Sequence, residues 1–210
     1  FVFEKKDMAF DKNGEVLYSF TVLELLEDLN KSIVNGGNFY PGCFFKLGES
    51  IELPSDWEGI SEADSNTLGE RAFRGVFDGN GDECTVTLKD TRGGLFNRLG
   101  EGALLKNFKV AGTMECDSEF MGSVGSLVND GTYSSVEDSS SSVKISVGGM
   151  GEDDLIICVG GLIGSLYGAR SFQNNSFSGS IAVDTIYGAR TVGGVIGSLS
   201  GINIDVSGCS

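Results

Sequence analysis

The N-terminal part of the chain changes its hydrophobic period from about two residues to about four. Residues 1–20 alternate loosely, and Asn13 with Gly14 predicts a β-hairpin because both residue types tolerate positive φ. In the next segment, TVLELLEDLNKSIVNGG, apolar residues recur at helical spacing, namely Val22, Leu25, Leu26, Leu29 and Ile33. Thr21 and Glu24 form a capping box, and the closing glycine pair is a stop signal. We therefore predict one helix of about 14 residues, over 22–35.

A short pattern of small and apolar residues then repeats along the rest of the chain. Its copies are GGLFNRL (93–99), GSVGSL (122–127), GGLIGSL (160–166) and GGVIGSL (193–199). A polar loop and an alternating, strand-like segment follow each of the first three copies. The copies end in leucines that are 28, 39 and 33 residues apart: Leu99, Leu127, Leu166 and Leu199.

Repeats of this length, with single short strands and no helix between them, are typical of a parallel β-solenoid. Coils stacked about 4.8 Å apart place each position over its own copy, so glycine recurs at tight turns and Leu, Ile, Val and Phe recur inside. We predict a mainly β fold, a right-handed parallel β-helix over 54–210, capped by a hairpin, a helix and first strands over 1–53. The alternative, a β-sandwich, would not require the self-similarity.

Composition narrows the possible functions. The 210 residues carry 30 acidic and 15 basic side chains and no histidine. The net charge of −15 disfavours nucleic acid and anionic membrane surfaces as partners. Without histidine, Ser-His-Asp and Cys-His catalysis are excluded, as are zinc sites that contain histidine. The five scattered cysteines are interpreted as small buried residues, and no apolar run reaches the roughly 20 residues of a membrane helix.

The segment FRGVFDGNGDE (73–83) carries the candidate binding residues. Asp78, Asn80 and Asp82 match the opening of a calcium-binding loop, but Glu83 and Lys89 stand where an EF-hand has glycine and glutamate. A looser calcium site therefore remains possible, whereas a phosphate cradle lacks its helix and lysine. We favour a structural corner, in which Phe77 enters the core, Asp78 bonds turn amides, and Gly79, Asn80 and Gly81 adopt positive φ. No cofactor is predicted.

Carboxylate pairs on an outer face would suffice for glycoside hydrolysis, which keeps a carbohydrate-active enzyme open as an alternative function. A sugar-binding platform would require aromatic residues beside these carboxylates, but none cluster there in the sequence, and Trp57 is the single tryptophan. The tetrapeptide YGAR occurs at 167–170 and 187–190; we interpret both copies as loops, with a stacked Tyr-Arg ladder as the alternative. The candidate carboxylates are Asp82, Glu83, Glu115, Asp117, Glu119, Glu137, Asp138, Glu152, Asp153 and Asp154.

The repeats, together with the order helix, FYPGCFFKLGESIEL, tryptophan and FDGNG, resemble the GLUG-motif proteins over about residues 20–210. This resemblance implies a right-handed parallel β-helix in a secreted or cell-surface protein, often one module of an adhesin-like chain, with no catalytic residues to transfer. We thus expect a non-catalytic module for adhesion or structural support that binds a protein or glycan. The final repeat, GINIDVSGCS, predicts further repeats or a subunit stacked at that end, which leaves a filament subunit as another alternative.

Overall fold

The computed structural model describes residues 9–10, 16–20, 23–37, 39–57, 59–61, 71–116, 122–148, 156–183, 189–201 and 205–210. Short strands and one helix make up the regular structure of these ranges. The N-terminal elements are β1 (Ala9–Phe10), β2 (Val16–Phe20), α1 (Leu23–Gly36), β3 (Phe44–Leu47) and β4 (Ile51–Leu53).

The remaining strands follow one another without a further helix in the described residues. They are β5 (Val76–Asp78), β6 (Val86–Thr91), β7 (Phe96–Leu99), β8 (Leu104–Lys106), β9 (Lys109–Cys116), β10 (Gly122–Gly125), β11 (Val128–Thr132), β12 (Ser135–Glu137), β13 (Ser140–Ser141), β14 (Lys144–Val147), β15 (Ile156–Gly160), β16 (Ile163–Tyr167), β17 (Ser171–Gln173), β18 (Ser176–Phe177), β19 (Ser180–Val183), β20 (Ala189–Gly193), β21 (Ile196–Ser200) and β22 (Asp205–Ser207).

These strands form four sheets that the chain visits in turn. Sheet A runs β1-β2-β3-β5-β8-β12-β17-β22, and sheet B joins β4, β6, β9, β13, β14, β18 and β19. Sheet C contains β7, β11, β16 and β21, and sheet D contains β10, β15 and β20. Every pairing is parallel except that of β1 with β2. The described residues therefore form a parallel β-solenoid of about four turns, as the repeats predict.

The N-terminal elements agree with their hydrophobic pattern. β1 and β2 pair antiparallel, which confirms the hairpin, although Asn13 and Gly14 lie outside the described residues. The helix has 14 residues and begins one residue later than predicted. Its Leu26, Leu29 and Ile33 are fully buried and join the solenoid core. Thr21 and Val22, the cap and the first residue of the stripe, also lie outside the described residues.

Stacking places like residues in columns inside sheet A. Phe45, Phe77 and Leu105 occupy one register position in β3, β5 and β8, and Val136 and Phe172 continue it. Around this column the phenylalanine rings lie 5.3–6.4 Å apart, centroid to centroid. Each such pair contributes about 0.5–1.5 kcal/mol beyond its buried area. The core of the first coils is therefore an aromatic stack; its five rings are Phe45, Phe73, Phe77, Phe96 and Phe108.

One repeat copy was aligned wrongly from the sequence. Leu99, Leu166 and Leu199 do share a column in sheet C, but Gly131, not Leu127, is their partner in β11. The second copy is therefore GSLVNDG (125–131), and the column positions are 32, 35 and 33 residues apart. Leu166 fills the space above Gly131, where an added Cβ would lie 2.6 Å from Leu166 Cδ1.

Among the described residues, no helix is long and apolar enough to cross a membrane. Trp57 is buried in the core, so its ring packs against other core residues and is not part of an exposed platform for sugars. The division of the chain at residue 53 stays a prediction, although sheet A continues across it from β3 to β5.

Candidate functional site

The FDGNGDE segment forms the corner between sheets A and B. β5 ends at Asp78, whose Oδ1 accepts the N–H of Asn80 at 2.9 Å. The Nδ2 of Asn107, one coil further on, donates to the same oxygen at 3.1 Å. Phe77 is fully buried, and Val86 begins the next strand. The predicted corner, with its aspartate bonded to a turn amide, is confirmed.

The predicted reason for the two glycines at this corner is wrong. Of the three residues, only Asn80 has a positive φ, +52°. Gly79 and Gly81 are required because neighbouring chain segments come close: an added Cβ would lie 2.6 Å from the Phe108 ring at Gly79 and 2.6 Å from the Asn107 carbonyl oxygen at Gly81. The glycines thus serve coil stacking and not turn conformation.

Successive coils repeat this polar corner. Asn107, Asp138 and Asn174 all adopt left-handed backbone with φ of 50–55°, and Asn and Asp tolerate that region better than other side chains. Asn174 Nδ2 donates to Asp138 Oδ1 at 2.9 Å, as Asn107 does to Asp78. The corner is therefore a ladder of amide and carboxylate groups that ties coil to coil.

The calcium candidates lie in an open groove of about 310 Å³ at this corner. Asp78 Oδ2 lies 3.7 Å from Lys106 Nζ, while its Oδ1 already accepts two hydrogen bonds. Asn80 directs its Nδ2, a donor, towards Leu47 O and Glu83 Oε2. In the described residues, no group of three or more Cys, Asp or Glu side chains could hold a metal ion. Calcium at Asp78, Asn80 and Asp82 would compete with these bonds, and it stays a prediction.

A second candidate site lies on the outer face of sheet C, at residues that the sequence did not predict as a site. Arg98, Asp130 and Ser165 occupy one register position in β7, β11 and β16 and alternate with the buried side chains of those strands. Tyr167 lies two residues beyond Ser165, about 7 Å along the same side of the strand. With Tyr133, the first residue after β11, these residues form what we name the tyrosine face.

The polar half of the tyrosine face is an ion pair that is partly withdrawn from water. Arg98 Nη2 lies 3.6 Å from Asp130 Oδ2, and the Arg98 side chain is only 13% exposed. Burial raises the pKa of Asp130, although Arg98, the Gly131 N–H and the Ser165 hydroxyl each oppose the increase.

The aromatic half consists of two exposed tyrosines. Tyr133 and Tyr167 are 45% and 50% exposed, and their rings meet edge to face with centroids 5.6 Å apart. Tyr133 lies over Gly168, where an added Cβ would be 2.5 Å from its ring. Hydrogen bonding with Tyr167 raises the pKa of Tyr133, so the Tyr133 hydroxyl stays neutral near pH 7. Beside them, Arg170 Nη2 donates to Glu101 Oε1 at 3.2 Å.

The two YGAR copies do not stack on each other. Tyr167 ends β16 and residues 168–170 form the turn from sheet C to sheet A, whereas Ala189 and Arg190 belong to β20 in sheet D. The interpretation of both copies as loops is therefore correct for residues 168–170 and wrong for Tyr167, Ala189 and Arg190. Tyr187 and Gly188 lie outside the described residues. The alternative of a Tyr-Arg ladder is therefore wrong. The true aromatic neighbour of Tyr167 is Tyr133, and the misaligned second repeat concealed that relationship.

The other side chains considered for chemistry are scattered. Glu115, Glu137 and Asp138 lie on sheets A and B or their corner, away from the tyrosine face. Asp117, Glu119 and residues 152–154 are outside the described residues. The five cysteines are free thiols. Cys84, Cys116 and Cys158 are buried, which confirms the interpretation for these three, whereas Cys43 and Cys209 are half-buried.

Comparison with protein families, curated proteins and solved structures finds no match to this chain, so its resemblance to the GLUG-motif proteins stays a prediction.

Proposed function

We propose that this chain is a non-catalytic, extracellular β-solenoid module that serves adhesion or structural support. The observation that carries the proposal is the uninterrupted parallel register of sheet A from β2 to β22, which makes the described part a stiff stack of coils. Such a stack holds outward side chains in fixed rows at about 4.8 Å spacing. Rows of this kind suit recognition of an extended surface, because they recur along the whole length of the solenoid.

A carbohydrate-active enzyme is the second candidate, and one observation favours it. Asp130 is half-buried beside Arg98, and its raised pKa is a property that general acids often have. Hydrolysis would also need a second carboxylate. The other carboxylate that the structure describes beside the tyrosine face is Glu101, and it already forms an ion pair with Arg170. We therefore favour binding over turnover.

A direct assay separates the two candidates. The purified chain is incubated with a panel of neutral and acidic polysaccharides, and new reducing ends and unsaturated products are measured. We expect neither product. Turnover that Asp130→Asn abolishes, while the matched control Glu137→Gln retains it, would overturn the proposal; Glu137 is a carboxylate on the outer side of sheet A.

The filament alternative depends on the two ends of the solenoid. At the N-terminal end, α1 packs Leu26, Leu29 and Ile33 into the core. In the last described coil Val192 and Val206 are 54% and 49% exposed. Head-to-tail growth would bring this coil against the end that α1 covers, so we propose that stacking of a second subunit is confined to the coil of β20, β21 and β22. Electron microscopy of the purified chain tests this, and long filaments would contradict it.

A further inference from the structure

We infer that the tyrosine face binds neutral carbohydrate. The inference rests on the proposed function and identifies where on the module a ligand would lie. Its starting point is that, among the side chains whose exposure the structure describes, Tyr133 and Tyr167 are the only exposed aromatic ones, and that they contact each other. Exposed aromatic rings present apolar surface to a ligand, while the hydroxyl groups provide hydrogen bonds.

The neighbours of the two rings are polar groups suited to sugar hydroxyls. Thr132 and Ser200 occupy the register position of Tyr167 on the adjacent strands β11 and β21. Asp130 and Ser165 follow in the next outward row, so acceptors and donors lie within about 7 Å of the rings along the strand. A pyranose has apolar C–H faces and a rim of hydroxyls, which matches aromatic rings bordered by hydroxyl and carboxylate groups.

The charges near the rings favour a neutral ligand over an anionic one. Arg98 is paired with Asp130 and Arg170 with Glu101, at 3.6 and 3.2 Å. The two arginines therefore leave no surplus positive charge on this face. The chain as a whole carries −15, which repels uronic-acid and sulfated polymers.

A protein ligand fits this face less well. Stable protein interfaces bury about 800 Å² on each partner around an apolar core. Among the side chains whose exposure the structure describes, the other exposed large hydrophobics are Val192 in sheet D and Val206 in sheet A, and neither extends the aromatic pair into a larger patch.

The test uses the whole chain and an array of immobilised oligosaccharides. One arm contains neutral hexose oligomers, and the other contains uronic-acid and sulfated oligomers. We expect binding in the neutral arm only. For the neutral oligomer that binds best, Tyr133→Ala and Tyr167→Ala should each weaken Kd at least about tenfold, as is common when an anchoring aromatic is truncated.

Two sets of controls separate ring contact from folding. Tyr133→Phe and Tyr167→Phe keep the rings and should retain binding better than the alanine variants. Val206→Ala removes a similarly exposed apolar side chain from another sheet and should leave Kd unchanged. Circular dichroism of each variant checks that the fold is intact.

Several results would overturn the inference: no neutral oligomer bound, a preference for the anionic arm, or alanine variants that bind like Val206→Ala. If the chain has no turnover and adheres to cells or a protein partner but not to neutral oligomers, the inference fails while the proposed function stands. If it cleaves a neutral oligomer that these tyrosines bind, the proposed function fails while the inference stands.

Discussion

The first glycine of each repeat lies where two sheets meet, and replacing one of these glycines tests the stacked geometry directly. Gly125, Gly160 and Gly193 share one register position in β10, β15 and β20 of sheet D. At Gly160 an added Cβ would lie 1.9 Å from the carbonyl oxygen of Ile163 and 2.4 Å from the amide nitrogen of Gly197. Both atoms belong to the backbone, so no side-chain rotation can relieve the contact.

The expected cost of Gly160→Ala follows from these distances. A carbon normally stays about 3.3 Å or more from a carbonyl oxygen, so the backbones must separate by about 1.4 Å. Overpacking of a tight core costs about 1–3 kcal/mol, and a backbone clash lies at the upper end of that range. For a chain of this size, 3 kcal/mol lowers Tm by about 6–12 °C.

Gly194→Ala is the matched control, because Gly194 is the second glycine of the next repeat and an added Cβ there meets nothing within 4 Å. Its φ is not in the positive region, so alanine should be neutral or stabilise by about 0.4–1 kcal/mol through the unfolded state. Both variants are compared with the parent chain by thermal unfolding, followed by circular dichroism. Equal Tm values for the two variants would refute the proposed packing at this corner.

Three further predictions concern the core, the tyrosine face and the corner. Phe77→Ala removes a fully buried ring and should cost about 3–5 kcal/mol in urea unfolding, more than Phe177→Ala at a half-buried site; equal losses would contradict the aromatic stack. Burial raises the pKa of Asp130 in the folded chain above its value in the unfolded chain. Ionisation of Asp130 as the pH rises therefore destabilises the folded state. The parent chain should therefore gain Tm relative to Asp130→Asn as pH falls from 7 to about 4, and parallel Tm curves would argue against it. Asp78→Ala loses two accepted hydrogen bonds and should cost about 2 kcal/mol, independent of calcium; a calcium-dependent rise in Tm that this variant abolishes would support the calcium site instead.

The fold could be predicted from the sequence because its two strongest signals are local. The helix has a 3.6-residue apolar stripe, and Leu26, Leu29 and Ile33 became core residues for that reason. The recurring glycine-apolar motif has a physical origin in stacking, since motif glycines such as Gly125, Gly160 and Gly193 have to accommodate the backbone of a neighbouring segment. Both signals are present without any knowledge of the partner strands.

The register could not be predicted, because a motif of small residues matches at more than one offset. GSVGSL ends in a leucine, as the other copies do. That leucine, Leu127, lies four residues before Gly131, which occupies the register position of Leu99 and Leu166. Only the neighbouring coil resolves the choice: Leu166 occupies the volume that a side chain at position 131 would need. When Leu127 is matched with Leu166, Tyr133 is no longer placed beside Tyr167, so the contact between the two rings is not predicted.

The candidate site was missed for a related reason. Asp130 and Tyr133 lie in a segment, VNDGTY, that looks like an ordinary polar turn when read alone. Their importance arises from Arg98 and Tyr167, which are distant in sequence and meet them across parallel strands. By contrast, Asp78 and Asn80 carry a conspicuous motif, yet their hydrogen bonds are those of a corner.

The register of the stacked coils can be measured by inter-strand nuclear Overhauser effects in sheet C. The stacked register predicts parallel-strand contacts that connect Gly131 with Leu99 on one side and with Leu166 on the other, and Leu166 with Leu199. Antiparallel contacts between these strands, or Leu127 aligned with Leu99 in place of Gly131, would show that the coils do not stack in this parallel register.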